Sequence, residues 1–162
     1  DVKVQVEFDA STVARYRLVG YENRILDNED FDDDTKDAGE IGPGHTVTAL
    51  YEVEMQPEAA GSSFLSTVRL RYKDQFGDSS KLIERGIKAA QAADTFEDAS
   101  SDFRFSAAVT EYAEILRQSQ HSEGDRFDDV ISVAEGSAPS DDADTEEFID
   151  LVDLAKDRSN GS

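Results

Sequence analysis

The stretch "VKVQVEF", Val2 to Phe8, decides the fold. Val2, Val4, Val6 and Phe8 fall on one side of an extended chain, and Lys3, Gln5 and Glu7 fall on the other. A period of two puts every apolar side chain on one face of a strand and scatters them around a helix. The stretch therefore predicts a strand with its valines turned inward and its charges turned to water. The pattern returns three times. "ARYRLVGY" sets Tyr16 and Leu18 against Arg15 and Arg17, "TVTALYEVE" aligns Val47, Ala49, Tyr51 and Val53, and "STVRLRYK" opposes Val68, Leu70 and Tyr72 to Arg69 and Arg71. Four such segments separated by turns predict an antiparallel sheet with one wet face. "SKLIERGIK" fits a fifth, edge-like strand, because Gly86 stands in the middle of what would otherwise read as a helix.

From Ala89 onward the apolar period lengthens to about 3.6. Phe105, Ala108, Val109, Tyr112, Ile115 and Leu116 form one stripe, with Ser101 or Asp102 placed to cap its start. "DRFDDVISVAEG" predicts a shorter helix capped by Asp125 and stopped at Gly136, with Phe127, Val130, Ile131 and Ala134 inward. "DTEEFIDLVDLAKDRS" predicts a third, with Asp144 and Glu147 at capping-box spacing and Phe148, Leu151, Val152 and Ala155 as its stripe. The expected fold class is α+β: an antiparallel sheet or sandwich portion over 1–88, then about three helices over 89–162 packed on it. A sheet with one apolar face needs a cover, which either those helices or strands outside this sequence would supply.

The chain has 162 residues, 16 Lys and Arg against 37 Asp and Glu, and a formal charge of −21. Such a field repels phosphate backbones and anionic headgroups, so nucleic acid and membrane surfaces are not expected partners. The same acidity also suits a protein kept soluble in concentrated salt. There is no cysteine, which removes disulfides and thiolate metal sites. No stretch approaches the ~20 apolar residues of a membrane span, and the chain opens directly on a strand pattern, as an excised piece would.

"EDFDDDTKDAGEIGPGH", Glu29 to His45, is the one span with ligand-like residues. Counted as an EF-hand loop from Asp30, it supplies Asp32 and Asp34 correctly, then Thr35 where glycine belongs and Ile41 where the bidentate glutamate belongs. A calcium site of another kind would use Asp30, Asp32, Asp34, Asp37 and Glu40; otherwise the span is a solvated acidic connector. "GPGH" is turn chemistry, with Pro43 fixing φ and Gly42 or Gly44 taking positive φ. It opens no helix, so it is not a phosphate cradle. His45 and His121 stand alone as a strand-entry residue and a solvated helix-end residue. No G-x-S-x-G elbow or S-x-x-K box is present, and no catalytic residue is assigned.

The succession "GYENR", "DAGEIGPGHTVTALYE", "RLRYKD", "DFRFSAAVTEYAEILRQS" and "FIDLVDLA" resembles the C-terminal region of bacterial von Willebrand factor type A domain proteins, often labelled Ca-activated chloride channel homologues. Gly20 to Arg24, and Asp37, Gly39, Glu40, Gly44, His45, Thr46 and Tyr51, carry the likeness. The resemblance implies a von Willebrand domain ahead of this region, with the metal-adhesion motif D-x-S-x-S there and not here. It implies that strands on the far side of that domain complete one β-sandwich, that 29–45 is a connector into a strand over 46–54, and that Glu22 and Arg24 form a local polar pair. A place in the cell envelope or outside the cell also follows from the likeness. The expected function is a non-enzymatic accessory region that supports the von Willebrand domain and binds a protein partner, with a homodimer possible through an exposed sheet face or edge. The alternative is a calcium-responsive binding module using 27–40.

Overall fold

The computed structural model describes residues 2–20, 26–36, 39–42, 44–59, 63–73, 79–122, 126–138 and 142–160. The chain divides into two compact units, Asp1–Ala92 and Ala93–Ser162. The first holds five strands, β1 (Val2–Phe8), β2 (Val13–Val19), β3 (Leu50–Met55), β4 (Phe64–Lys73) and β5 (Ser80–Lys88). The second holds three helices, α1 (Ser101–Leu116), α2 (Phe127–Ser137) and α3 (Ala143–Asn160). The architecture is α+β, antiparallel sheets first and helices after, as the change of period predicts.

The strands make two sheets, within the sheet or sandwich portion expected. One has three strands in the order β1-β4-β5 and the other pairs β2 with β3, all antiparallel. Register sets Val4 opposite Leu70 and Leu70 opposite Ile83, so valines, leucines and isoleucines share one face. Lys3 opposite Arg71 and Arg69 opposite Glu84 share the other. The two sheets meet at Phe8, whose ring centroid lies 4.4 Å from that of Tyr16 and 5.3 Å from that of Tyr51. On the far side of the small sheet Arg15 pairs with Glu54 and Arg17 with Glu52, each at 2.5 Å. β3 is shorter than the expected 46–54 strand, and Val47 is exposed ahead of it. The segment that follows Gly44, which takes φ +78°, makes no ladder until Leu50.

β5 is a strand despite Gly86, and the geometry gives the reason. A Cβ built on Gly86 would meet the Phe64 ring at 2.5 Å. The ring therefore covers the glycine, replacing the side chain that an edge strand lacks there.

The helical unit closes a core of Ala108, Ile115, Phe127, Val130, Ala134 and Val152. Phe105 and Tyr112 each set their rings edge-on to Phe148 at 5.6 Å. The Tyr112 hydroxyl donates to the Leu151 carbonyl at 3.1 Å, so the polar tip is satisfied where the ring packs. Three stripe residues depart from expectation: Val109, Leu116 and Leu151 are exposed. Each neighbours a core residue in sequence, and one residue is a rotation of about 100°, which carries it off the stripe a single packed side buries. The caps differ too. Ser100 caps α1, accepting from the Phe103 amide at 3.3 Å, in place of Ser101 or Asp102. The α2 cap position falls on Arg126, without a side-chain hydrogen bond, and Asp125 lies outside the described residues. The helix runs through Gly136 to Ser137. α3 starts one residue before Asp144, and it is the Asp142 carboxylate that accepts from the Thr145 hydroxyl at 2.6 Å.

Candidate functional site: two faces of one sheet

The strand pattern of β1 is right and its orientation is inverted at Lys3 and Val4, while Val2, Val6 and Phe8 are half-buried and Glu7 is exposed. Lys3 is 5% exposed and Val4 is 60% exposed. The acidic span covers the part of the charged face that carries Lys3, Arg71 and Lys73, while Glu7, Leu82 and Glu84 on the same face are exposed.

Residues 26–36 cross that face as a strap, turning once in a short 3-10 helix at Asn28–Asp30. The Lys3 ammonium donates to the carbonyls of Asp30 at 2.8 Å and Asp33 at 2.5 Å. Lys73 donates to the Asp34 carbonyl at 2.6 Å, and Arg71 pairs with the Asp32 carboxylate. Phe31 is 4% exposed, with the Arg71 guanidinium 5.3 Å from its ring centroid. Next to the strap, Arg69 spans the three strands by pairing with Glu7 at 2.5 Å and Glu84 at 2.7 Å. Ammonium groups lose little by burial when carbonyl oxygens replace their water, and each such charged hydrogen bond is worth about 1.5–3 kcal/mol. Cations on the strands and oxygens on the strap thus satisfy one another.

Two strap carboxylates are held below the usual carboxylate range. Hydrogen bonds from the Thr35 hydroxyl and amide, at 2.7 and 2.9 Å, favour the ionised form of Asp33. The Ser80 side chain and amide do the same for Asp34, with the amide at 3.1 Å. The strap is tied to β5 through Asp34 as well as to β1 through Lys3.

The calcium candidates therefore separate into different roles. Asp30 turns its carboxylate to Lys36 at 3.2 Å, Asp32 to Arg71, and Asp34 to Ser80. Glu40 is exposed, and Asp37 lies outside the described residues, as do Glu22, Arg24 and Pro43. Among the described residues no three or more carboxylates or imidazoles gather as an ion-holding group. Where a calcium ion would collect oxygens, the chain's own lysine does so. The span is also not the expected connector, since its backbone carbonyls are ligands for the sheet's cations. Lys3, Phe31, Arg71 and Lys73 are the residues that sequence reasoning missed. The available signal was a row of cations on one strand face facing a dense run of aspartates in the same chain.

The opposite face is largely apolar, half-buried over most of β1 and β4 and open at Val4 and along β5. It carries Val2, Val4, Val6 and Phe8 on β1, Val68, Leu70 and Tyr72 on β4, and Ile83 and Ile87 with Arg85 and Lys81 on β5. Val4 and Ile83, 52% exposed, are its least covered apolar members. No described helix is long and apolar enough to cross a membrane.

Residues 1–157 match the family described as the C-terminal region of the uncharacterised protein YfbK. The uncharacterised protein YfbK of Escherichia coli is 31% identical over 173 aligned positions. That alignment covers 96% of this chain and 29% of the relative, so the chain spans less than a third of the length of the protein it matches. No solved structure matches.

Proposed function

The chain belongs to the family of YfbK C-terminal regions, and on that premise we propose that it is a non-enzymatic accessory region that binds protein through its open sheet face. The observation that carries this reading is the inversion of β1, with Lys3 buried under the strap and Val4 presented to solvent. Contiguous apolar surface on a soluble protein marks an interaction site more often than a defect. A single exposed valine needs no explanation, but Val4 lies in register with the half-buried Leu70 and the exposed Ile83 across three strands. The partner class is protein, since in-register apolar strand surface is answered by apolar side chains and not by a phosphate backbone or a lipid headgroup.

The nearest source of a partner is the longer polypeptide, because most of the E. coli relative lies outside the matched stretch. The resemblance to von Willebrand factor type A proteins points to that domain and its neighbouring strands as the occupant. The test mixes this chain with the separately produced remainder of the E. coli relative and follows amide hydrogen exchange. Slowed exchange over β1 and β4, lost in Val4→Asp, supports the reading. Unchanged exchange in the wild-type chain overturns it.

A further inference from the structure

We infer that the outer edge of β5 receives an extended acidic strand, which lengthens the β1-β4-β5 sheet by one. This rests on the open face being an interaction surface and adds where the contact forms and what chemistry it selects. β5 is the terminal strand of its sheet, nine residues long; the amides of Ser80 and Lys88 at its ends are taken by the Asp34 carboxylate and the Gln91 side chain, and between them no described strand pairs with its outer edge. Alternate amides and carbonyls of such an edge point outward, ready to hydrogen-bond another chain. β1, at the opposite end, is partly closed by a bridge from Val2 to Gly39.

The side chains of β5 say which chain. Lys81, Arg85 and Lys88 place three cations on this one strand, in a protein with only 16 Lys and Arg against 37 acids. Lys88 lies over the Phe64 ring, 5.8 Å from its centroid, and Glu84, the one acid of the strand, is engaged by Arg69. Arg85 is exposed and makes no ion pair among the described residues. On the open face the order is Ile87, Arg85, Ile83, Lys81, apolar alternating with cationic. On the covered face Phe64 closes the edge over Gly86.

An antiparallel partner strand that answers this row reads apolar-x-acidic-x-apolar-x-acidic, with its carboxylates opposite Arg85 and Lys81. Directly opposed unlike charges and apolar pairs each contribute about 0.2–1 kcal/mol, and like charges oppose pairing. The same cations that keep β5 from pairing with its own kind thus select an acidic strand, so repulsion supplies part of the specificity.

The experiment titrates this chain, labelled with nitrogen-15, with the peptide ITETVTE and with its lysine counterpart ITKTVTK. Saturable shift changes at amides 80–88 with the glutamate peptide, weakened by salt and absent with the lysine peptide, support the inference. Arg85→Glu lowers the affinity about tenfold and shifts the preference towards the lysine peptide; the site is exposed, so the fold survives the change. Shifts located elsewhere, equal binding of both peptides, or an unchanged Arg85→Glu affinity overturn it. So does concentration-dependent shifting of β5 without peptide, which would make a second copy the occupant. If the peptide fails while exchange over β1 still slows with the remainder of the relative, this inference falls and the wider reading stands.

Discussion

The helical unit and the strand unit solve burial in opposite ways. In the helices, apolar residues close on one another until Val152 and Ala134 have no exposed surface. In the three-stranded sheet Lys3 on the charged face is buried under the strap, while Val4 and Ile83 on the apolar face are left to solvent. The difference follows from what each unit has available as a cover. Three amphipathic helices can cover one another, whereas a strap made of aspartates can only cover cations. The strand unit is thus a structure that finishes its polar packing internally and leaves its hydrophobic packing to something else.

The same substitution placed in both units breaks or upholds this contrast, and it has the largest expected effect. Val130→Asp puts a carboxylate among Ala134, Phe127 and Val152, where it finds no cation. An unpaired charge in such a site costs about 3–5 kcal/mol, enough to unfold a marginal helical unit. Val4→Asp, on the open face, changes stability by about 0.5 kcal/mol or less. Urea unfolding followed by helical circular dichroism for the first variant, and by β1 and β4 amide exchange for the second, measures both. A loss of several kcal/mol in Val4→Asp would mean that the face is covered in solution and would end the comparison.

Next in size is the strap. Lys3→Met keeps the stem and removes the ammonium, leaving the carbonyls of Asp30 and Asp33 without their donor beneath the strap. The expected cost is about 2–3 kcal/mol, with amides of 28–35 exchanging faster while those of α1 and α2 are unaffected. If Lys3→Met is neutral, the strap is held by Phe31, Arg71, Lys73 and Ser80 without it.

Acid sharpens the same division. Asp33 and Asp34 are held below the ordinary carboxylate value when folded, chiefly by Thr35 and Ser80. Their folded values lie beneath their unfolded ones, so their contribution is complete at neutral pH and lost as pH falls through the folded values, below about pH 4. The strap is expected to loosen before the helical core does, read as amide shifts of 28–35 moving ahead of those of 127–137 during titration from pH 5 to pH 2.5. Simultaneous movement of both would contradict a separately held strap.

How much of this was legible depends on which period is being read. Periodicity located β1, β4, β5 and all three helices, because an apolar residue's spacing reports its side directly. It could not say which side is inside. "VKVQVEF" has a valine face and a charged face whatever covers them, and the cover for Lys3 comes from residues about thirty positions away. The helix caps were misplaced by a residue or so because "SSD" and "DDAD" offer several equivalent oxygens, and only geometry selects among them. The division into two sheets was hidden for a similar reason, since strand pattern does not encode which strands pair. The acidic span was singled out as unusual and its carboxylates were weighed as ligands for an external ion; Arg71 pairs with one of them, and Lys3 and Lys73 take the backbone carbonyls beside them, which no side-chain pattern reveals.

The smallest expected effect is also the one that separates those two accounts of the acidic span. Asp32 and Asp34 are engaged by Arg71 and Ser80, and the carbonyls of Asp30, Asp33 and Asp34 by two lysines. For calcium to take these oxygens it would have to displace three cationic side chains and then collect the six to eight ligands it prefers, from residues now turned in different directions. Titration with calcium is therefore expected to give heats no larger than those from magnesium, both falling with added salt as screening of a −21 chain requires. Saturable binding selective for calcium, lost in Asp32→Asn, would show that the strap exchanges its internal cations for an external one. In that event Lys3→Met, by freeing two carbonyls, should raise the calcium affinity, which makes the outcome decisive for the same pair of oxygens that hold the strap shut.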